Sequence, residues 1–179
     1  MKKLLALSGL ALASTTAMAV EQPYLGVGYV QSTYENEKGG DADPGMGQIR
    51  FGTELSKHFG MRATVSLGAG DSTFKKAGIS YDMAVDSMYT VSAVARMPFG
   101  EHASIYGHLG YSYAQISFGN PTPATPGITS AEDNLDGLAF GAGIVLPAIK
   151  GFYLEVDYTS YLSAGDTLGG VGVGVRRYL

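Results

Sequence analysis

The stretch that decides the fold reads Gly169-Gly170-Val171-Gly172-Val173-Gly174-Val175-Arg176-Arg177-Tyr178-Leu179. Valine recurs at every second position, and the positions between the valines hold glycine. A repeat of two residues is typical of a β-strand whose two faces differ. The apolar face of this strand must therefore meet an earlier strand, a partner or lipid.

Seven earlier segments show the same alternation. In Met61–Gly70, for example, Ala63, Val65 and Leu67 alternate with polar residues. The seven segments are Tyr24–Ser32, Gly47–Leu55, Met61–Gly70, Tyr81–Met97, Ala103–Ile116, Gly137–Leu146 and Phe152–Thr159. No stretch of the mature chain shows a repeat of 3.6 residues, so the sequence predicts eight strands and no helix there.

The connections between these segments alternate between short and long. Short ones with turn-forming residues are Lys57–Gly60, Pro98–Glu101 and Pro147–Gly151. Longer polar ones are approximately Tyr34–Gly45, Asp71–Ser80, Ser117–Asn134 and Leu162–Leu168. The order predicts an antiparallel up-and-down sheet, with three turns at the end that holds the termini and four loops at the other end.

The N-terminus has the three parts of a secretory signal peptide. Met1-Lys2-Lys3 is followed by the apolar run Leu4–Ala13 and by Ala17-Met18-Ala19. We expect residues 1–19 to be a cleaved signal peptide and residues 20–179 to form one domain. The mature part has 10 basic and 16 acidic residues and no cysteine. Its formal charge of −6 argues against nucleic-acid binding, and no disulfide stabilises it.

The alternation alone does not say which face is outside, because a soluble barrel with an apolar lumen has the same period. The positions of the lysines distinguish a soluble barrel from a membrane barrel. The mature chain has Lys38, Lys57, Lys75, Lys76 and Lys150, and all five fall in turns or loops. The polar faces of the sixth and eighth segments consist largely of glycine, which suits a narrow lumen better than a wet exterior.

The charged residues of the strands then face inward and must be paired, because an unpaired buried charge is strongly disfavoured. The predicted interior charge lattice comprises Arg50, Glu54, Arg62, Arg96, Asp136, Glu155, Asp157 and Arg176. Because Glu54 and Arg62 flank the turn at His58, we expect them to pair across that hairpin. A similar pair is expected between Glu155 and Arg176.

The outward face meets hydrocarbon, where only helices and closed barrels satisfy every backbone hydrogen bond. Segments of nine to eleven tilted residues are long enough to cross the layer. Outward tyrosines lie toward the loops and outward phenylalanines toward the turns, as in aromatic girdles. They are Tyr29, Tyr111, Tyr113, Tyr158, Phe99 and Phe152. The predicted fold class is all-β, an eight-stranded antiparallel up-and-down transmembrane β-barrel.

With these features the chain resembles the small eight-stranded outer-membrane barrels of Gram-negative bacteria: the OmpX/Ail-like and opacity-protein relatives and the transmembrane domain of OmpA. The resemblance implies a place in the outer membrane, with outer-membrane lipid and lipopolysaccharide around the barrel. It also implies that the last strand is read by the barrel-assembly machinery. The residues of this assembly signal are Val171, Val173, Val175, Tyr178 and Leu179, of which the first four match the family's type of ending. Leu179 replaces the usual terminal aromatic, and Arg177 has outward parity.

Catalysis is considered because some barrels of this size modify lipid A. His102-Ala103-Ser104 has the spacing of a deacylase pair, but it lies at the turn end, whereas those enzymes work at the outer leaflet. A palmitoyltransferase-like barrel would need a histidine near the loop end. Asp71-Ser72 lies at that end, but no histidine is nearby in sequence. Asp41–Gly45 resembles part of a calcium loop but lacks the bidentate glutamate. We predict no catalytic residue, cofactor or metal.

The function expected from the sequence is that of a non-enzymatic surface barrel. It presents four loops for envelope integrity, adhesion or evasion of host defences, with a host or envelope protein as the partner of the loops. The alternative is a narrow pore or a path for small solutes. A lipid A-modifying enzyme is the third reading.

Overall fold

The computed structural model describes residues 22–36, 40–70, 72–76, 79–100, 103–122, 131–163 and 166–179. These residues form ten β-strands. The strands are β1 (Gln22–Asn36), β2 (Gly40–Ala42), β3 (Gly45–Glu54), β4 (Phe59–Gly68), β5 (Ser72–Lys76), β6 (Ile79–Phe99), β7 (Ala103–Thr122), β8 (Ala131–Pro147), β9 (Phe152–Ser163) and β10 (Asp166–Tyr178). Within the described ranges, no helix is long and apolar enough to cross a membrane.

Eight long segments form a closed barrel. The antiparallel neighbours follow the order β1, β3, β4, β6, β7, β8, β9 and β10, and β10 pairs back with β1. The short strands β2 and β5 continue the lines of β3 and β4 beyond interruptions at Asp43–Pro44 and Ala69–Gly70, and they pair with each other. The predicted eight-stranded antiparallel up-and-down barrel is therefore confirmed.

The C-terminal stretch Gly169–Leu179 closes this barrel. β10 is paired on one side with β9 and on the other with β1, in a register from Tyr24 opposite Tyr178 to Asn36 opposite Asp166. Glycine from one strand lies opposite glycine from the other at Gly28 and Gly174. Closure leaves no free sheet edge along this seam.

The two faces of the wall separate as the alternation predicts. Val27 and Leu109 are each 59% exposed and Val173 is 50% exposed, whereas Arg50 and Arg62 are 4% and 6% exposed. The six aromatic side chains assigned to girdles, Tyr29, Tyr111, Tyr113, Tyr158, Phe99 and Phe152, are all exposed on the outside. A continuous apolar exterior of this kind requires lipid around it.

An irregularity in β6 reverses the alternation at one point. The register between β6 and β7 shifts between Val85 and Ser87, as in a β-bulge. From there toward the turn end the even positions face the lumen, as expected, but on the loop side the odd positions do so. As a result, Asp82 and Asp86 are exposed on the outside, while Met83 is buried.

The lumen has two levels, of which the sequence predicted one. The level toward the turns is polar and charged, as expected. Toward the loops the lumen is filled by an apolar cluster that also draws on β2 and β5. Its buried members are Val30, Tyr34, Ala42, Met46, Phe74, Met83, Val85, Met88, Ala114, Ile116 and Leu168. Phe74 packs against Phe118 with ring centroids 5.4 Å apart.

Glycines on the inner wall make room for the charged level. A Cβ atom at Gly172 would overlap the Asp157 carboxylate, and it would lie 3.0 Å from a guanidinium nitrogen of Arg50. A Cβ atom at Gly143 would lie 2.7 Å from the Tyr106 hydroxyl oxygen. The glycine-rich faces of β8 and β10 are thus the surfaces against which long polar side chains from other strands pack.

The loop end is more regular than predicted. β6, β7 and β8 extend well into the segments expected to be loops, since β7 runs to Thr122 and β8 begins at Ala131. The expected fourth long loop, Leu162–Leu168, is instead a short hairpin in which Ser163 lies opposite Asp166. The interpretation of that segment as a long loop is wrong.

A cation placed on the outer face at mid-height tests the lipid-facing assignment. Val173 lies opposite Val156, which is between the girdle residues Phe152 and Tyr158 on β9. We expect Val173→Arg to lower the free energy of unfolding by ~2–4 kcal/mol, the cost of an arginine near the bilayer midplane. Urea unfolding in lipid vesicles measures this, with Val173→Leu as the control. Equal stability of the two variants would contradict the assignment.

Candidate functional site

The lumen is held by a buried ion network at the charged level. Arg50 from β3 contacts Glu155 at 3.1 Å and Asp157 at 2.6 Å, both from β9 on another part of the wall. Arg62 from β4 contacts Glu155 at 2.9 Å. The Tyr106 hydroxyl donates to both carboxylates, at 2.5 Å and 2.9 Å. These five side chains cross the lumen and join β3, β4, β7 and β9.

A second group closes the lumen toward the turns. The Glu54 carboxylate accepts hydrogen bonds from the guanidinium of Arg96 and from the hydroxyl of Tyr178. Arg176 approaches the same carboxylate at 3.4 Å, and its guanidinium lies 4.6 Å from the ring centre of Tyr24. The end of β10 is thereby tied to β3 and β6 across the lumen.

Seven of the eight residues predicted to form the charge lattice face the lumen, and one does not. Asp136 has the parity of Leu138 and Phe140 on β8, so it lies on the outside, where the Tyr111 hydroxyl donates to it. Placing Asp136 in the lattice was wrong because that parity is the outward one. The described lumen therefore holds four arginines against three carboxylates, a formal excess of one positive charge.

The partners within the lattice differ in part from the predicted ones. Glu54 lies opposite Gly60 and Arg62 opposite Gly52, so the two are offset by two residues along the hairpin. The predicted Glu54–Arg62 pair is wrong, because both side chains reach across the lumen to other strands instead of to each other. The predicted contact between Glu155 and Arg176 is present at 4.0 Å.

The residues considered for catalysis do not form a catalytic group among the described positions. His102 and Asp71 lie outside the described residues, and Ser104 is buried. His108 is an interior residue whose Nε2 lies 3.1 Å from the Thr159 hydroxyl. In the described ranges, no group of three or more histidine, aspartate or glutamate side chains is placed to hold a metal ion.

Two small cavities lie among the side chains of the described lumen. A cavity of about 20 Å³ lies beside Arg62 and Arg176, and another of about 20 Å³ lies beside Met88 and Leu168. Each has room for about one water molecule. Side chains, rather than a column of solvent, fill this part of the barrel.

The loop end carries most of the negative charge. The segments of sequence at that end hold eleven acidic residues and three lysines, a formal charge of −8. The acidic residues are Glu35, Glu37, Asp41, Asp43, Asp71, Asp82, Asp86, Glu132, Asp133, Asp136 and Asp166. Eight of them are described and exposed. The formal charge of −6 over the whole mature chain does not show this asymmetry.

Comparison with known proteins agrees with this geometry. The family model of the outer membrane protein β-barrel domain matches residues 4–177. No curated protein sequence matches the chain significantly.

Three solved structures illustrate the likeness in fold. Ail, the attachment invasion locus protein of Yersinia pestis, is 18% identical with a TM-score of 0.62, over 88% of this chain and 98% of Ail. Neisserial surface protein A is 15% identical with a TM-score of 0.65, over 87% and 96%. A major outer membrane protein of Thermus thermophilus is 14% identical with a TM-score of 0.60, over 88% and 99%. Ail is also known in complex with the heparin analogue sucrose octasulfate.

Removing one carboxylate from the network tests its contribution to stability. We expect Glu155→Gln to cost about 3–5 kcal/mol, because Arg50 and Arg62 then share one remaining carboxylate, that of Asp157. Adding Arg62→Met should recover part of that loss, since the double variant restores the original net charge of the lumen.

Urea unfolding of the refolded barrel in vesicles measures all of these variants. The exposed Glu132→Gln serves as the control, and its stability should stay within about 0.5 kcal/mol of the native value. A Glu155→Gln variant as stable as this control would show that the network is not a stabilising element.

Proposed function

The chain belongs to the outer membrane protein β-barrel family, and from that premise we propose that it is a non-enzymatic surface protein that presents its loop end to a partner outside the cell. The barrel is located in the outer membrane. Its role is then to hold the loop-end strands in a fixed arrangement above the lipid, for adhesion, evasion of host defences or envelope integrity.

The filled lumen is the observation that carries this proposal. Arg50, Arg62, Glu155 and Asp157 bridge the charged level, and the apolar cluster occupies the level above it. Passage of a solute would require parting ion pairs that are nearly inaccessible to water, which is costly unless both charges regain partners. The part of the molecule left available to other molecules is therefore the end that projects beyond the membrane.

The charge of the loop end indicates what kind of partner it suits. Ail has been crystallised with sucrose octasulfate, which is a polyanion. The loop end of the present chain has a formal charge of −8 and exposes carboxylates on β1, β2, β6 and β8. Repulsion disfavours a sulfated polyanion here, and a basic surface on a host or envelope protein is the complementary partner.

Two further contacts are part of the proposal. Outer-membrane lipid and lipopolysaccharide would surround the apolar exterior, and the barrel-assembly machinery would read the C-terminal strand. The outward side chains of Val171, Val173 and Val175 and the 81% exposed Leu179 support that reading. Arg177 lies on the outer face with its guanidinium 5.5 Å from the ring centre of Phe152, at the level where arginine is tolerated.

Planar-bilayer recordings separate presentation from transport. Because the charged and apolar levels both fill the lumen, we expect no sustained open level from the purified native barrel. Glu155→Gln provides the comparison, since weakening the network should give brief openings if it is what blocks the lumen. Sustained conductance of the native protein would favour the pore and contradict the proposal.

Exchange of the loop-end segments tests presentation in cells. The chain is expressed in a host strain, and its effect on attachment to epithelial cells and on survival in serum is measured. Any gain should be lost when residues 37–39 and 123–130 are replaced by equal lengths of Gly-Ser. The barrel should keep its heat-modifiable mobility on gels, which shows that it still folds. The matched control replaces Lys57–Gly60 at the turn end. Expression without any gain in attachment or survival would argue for a role in envelope integrity.

A further inference from the structure

A small cavity lies between the two groups of ion pairs in the lumen. Its volume is about 20 Å³, and its walls include three arginines and two carboxylates. Arg62 and Glu155 belong to the central network, and Glu54, Arg96 and Arg176 belong to the group that closes the lumen toward the turns. Among the described residues around this cavity, positive charge therefore exceeds negative charge by one.

Arg176 is the arginine of this cavity whose charge is least compensated. The two terminal nitrogens of Arg96 each donate to one oxygen of the Glu54 carboxylate. Arg176 reaches the same carboxylate only at 3.4 Å, and it lies 4.0 Å from Glu155. It also donates to a neutral group, the Tyr178 hydroxyl, at 2.7 Å. Within the described lumen, this guanidinium thus has no carboxylate of its own, although Arg176 is only 5% exposed.

Two N–H donors at this cavity are not used by the described part of the chain. The Nε–H groups of Arg62 and Arg176 are buried, and neither has a hydrogen-bond partner among the described residues. Both side chains line the cavity. An unsatisfied buried donor is costly, and an uncompensated buried charge is more so. A small anion that accepts hydrogen bonds would remove both costs at once.

We propose that this cavity binds a single monoatomic anion, which is chloride in the natural surroundings of the barrel. The cavity has room for about one water molecule, and a chloride ion is only slightly larger. Phosphate, sulfate and carboxylate ions contain several heavy atoms and exceed this volume. A water molecule fits, but it leaves the positive charge uncompensated. Size and charge together therefore select a halide ion, and this inference does not depend on the proposed function.

The two carboxylates at the cavity do not exclude an anion, because donors already surround them. Glu54 accepts two hydrogen bonds from Arg96. Glu155 lies within 3.1 Å of two arginines of the central network, and it also accepts a hydrogen bond from the Tyr106 hydroxyl. Their negative charge is compensated by these partners, whereas the positive charge of Arg176 is not. The cavity therefore attracts an anion.

The dependence of stability on chloride tests the proposal. A ligand that binds only the folded state raises the folding equilibrium constant in proportion to its concentration once that concentration exceeds Kd. Urea unfolding of the full barrel in phosphatidylcholine vesicles is measured at constant ionic strength while sodium chloride replaces sodium gluconate. We expect a tenfold rise in chloride to increase the folding equilibrium constant by up to about tenfold. No response between millimolar and molar chloride would overturn the proposal.

Two arginines that are neighbours in sequence provide matched variants. Arg176→Met removes the uncompensated charge and one donor from the cavity, so it should abolish the response to chloride. Arg177→Met removes the same charge from the outer face, where its guanidinium lies against Phe152, and it should leave the response unchanged. Equal responses of the two variants would show that chloride acts elsewhere on the barrel, which contradicts the proposal.

Bromide locates the ion directly and does not require any variant to fold. Crystals of the native barrel grown in sodium bromide should show a peak of anomalous scattering between Arg62 and Arg176, within hydrogen-bonding distance of both Nε atoms. An ordered water molecule at that position, with no bromide peak in this part of the lumen, would overturn the proposal.

Discussion

Closure of the backbone ladder between β1 and β10 is the constraint on which the rest of the structure depends. In hydrocarbon each unpaired N–H or C=O group costs several kcal/mol, so a sheet crossing a membrane must have no open edge there. The seam runs unbroken from Tyr24 and Tyr178 to Asn36 and Asp166. Once the ring is closed, every strand has one face toward lipid and one toward a lumen that eight strands leave just wide enough for side chains.

The closed ring in turn dictates what the lumen contains. Carboxylates and guanidinium groups can be buried there because partners arrive from several strands at once, as Arg50 and Arg62 do at Glu155. Glycine on the facing wall, such as Gly172, supplies the space that these side chains need. The valine-glycine repeat of the last strand thus serves both requirements: its valines face lipid, and its glycines admit the network.

The period of the sequence predicted the strands, their order and the outward face because alternation follows directly from strand geometry. It did not predict partners across the lumen, since Glu54 and Arg62 are close in sequence while Arg62 and Glu155 are brought together by closure. Assigning faces by odd and even positions also fails at the bulge near Val85, because one extra residue reverses the face of the preceding residues of β6. The bulge also hid two members of the apolar cluster, since an unbroken alternation places Met83 and Val85 on the lipid-facing side.

Differences in strand length explain why the two ends of the barrel have such different chemistry. Within the membrane, each of the eight strands must be long enough to pair with both neighbours, so strand length can vary little there. Beyond it, each strand ends where its own sequence allows, and the hairpin between Ser163 and Asp166 ends far below the tip of the β7–β8 pair. Among the described residues, that mismatch leaves Ala131–Gly137 of β8 paired with β7 alone, beside carboxylates that limit nonspecific pairing. The membrane-spanning part therefore determines the fold, and the projecting part provides the surface that is accessible to other molecules.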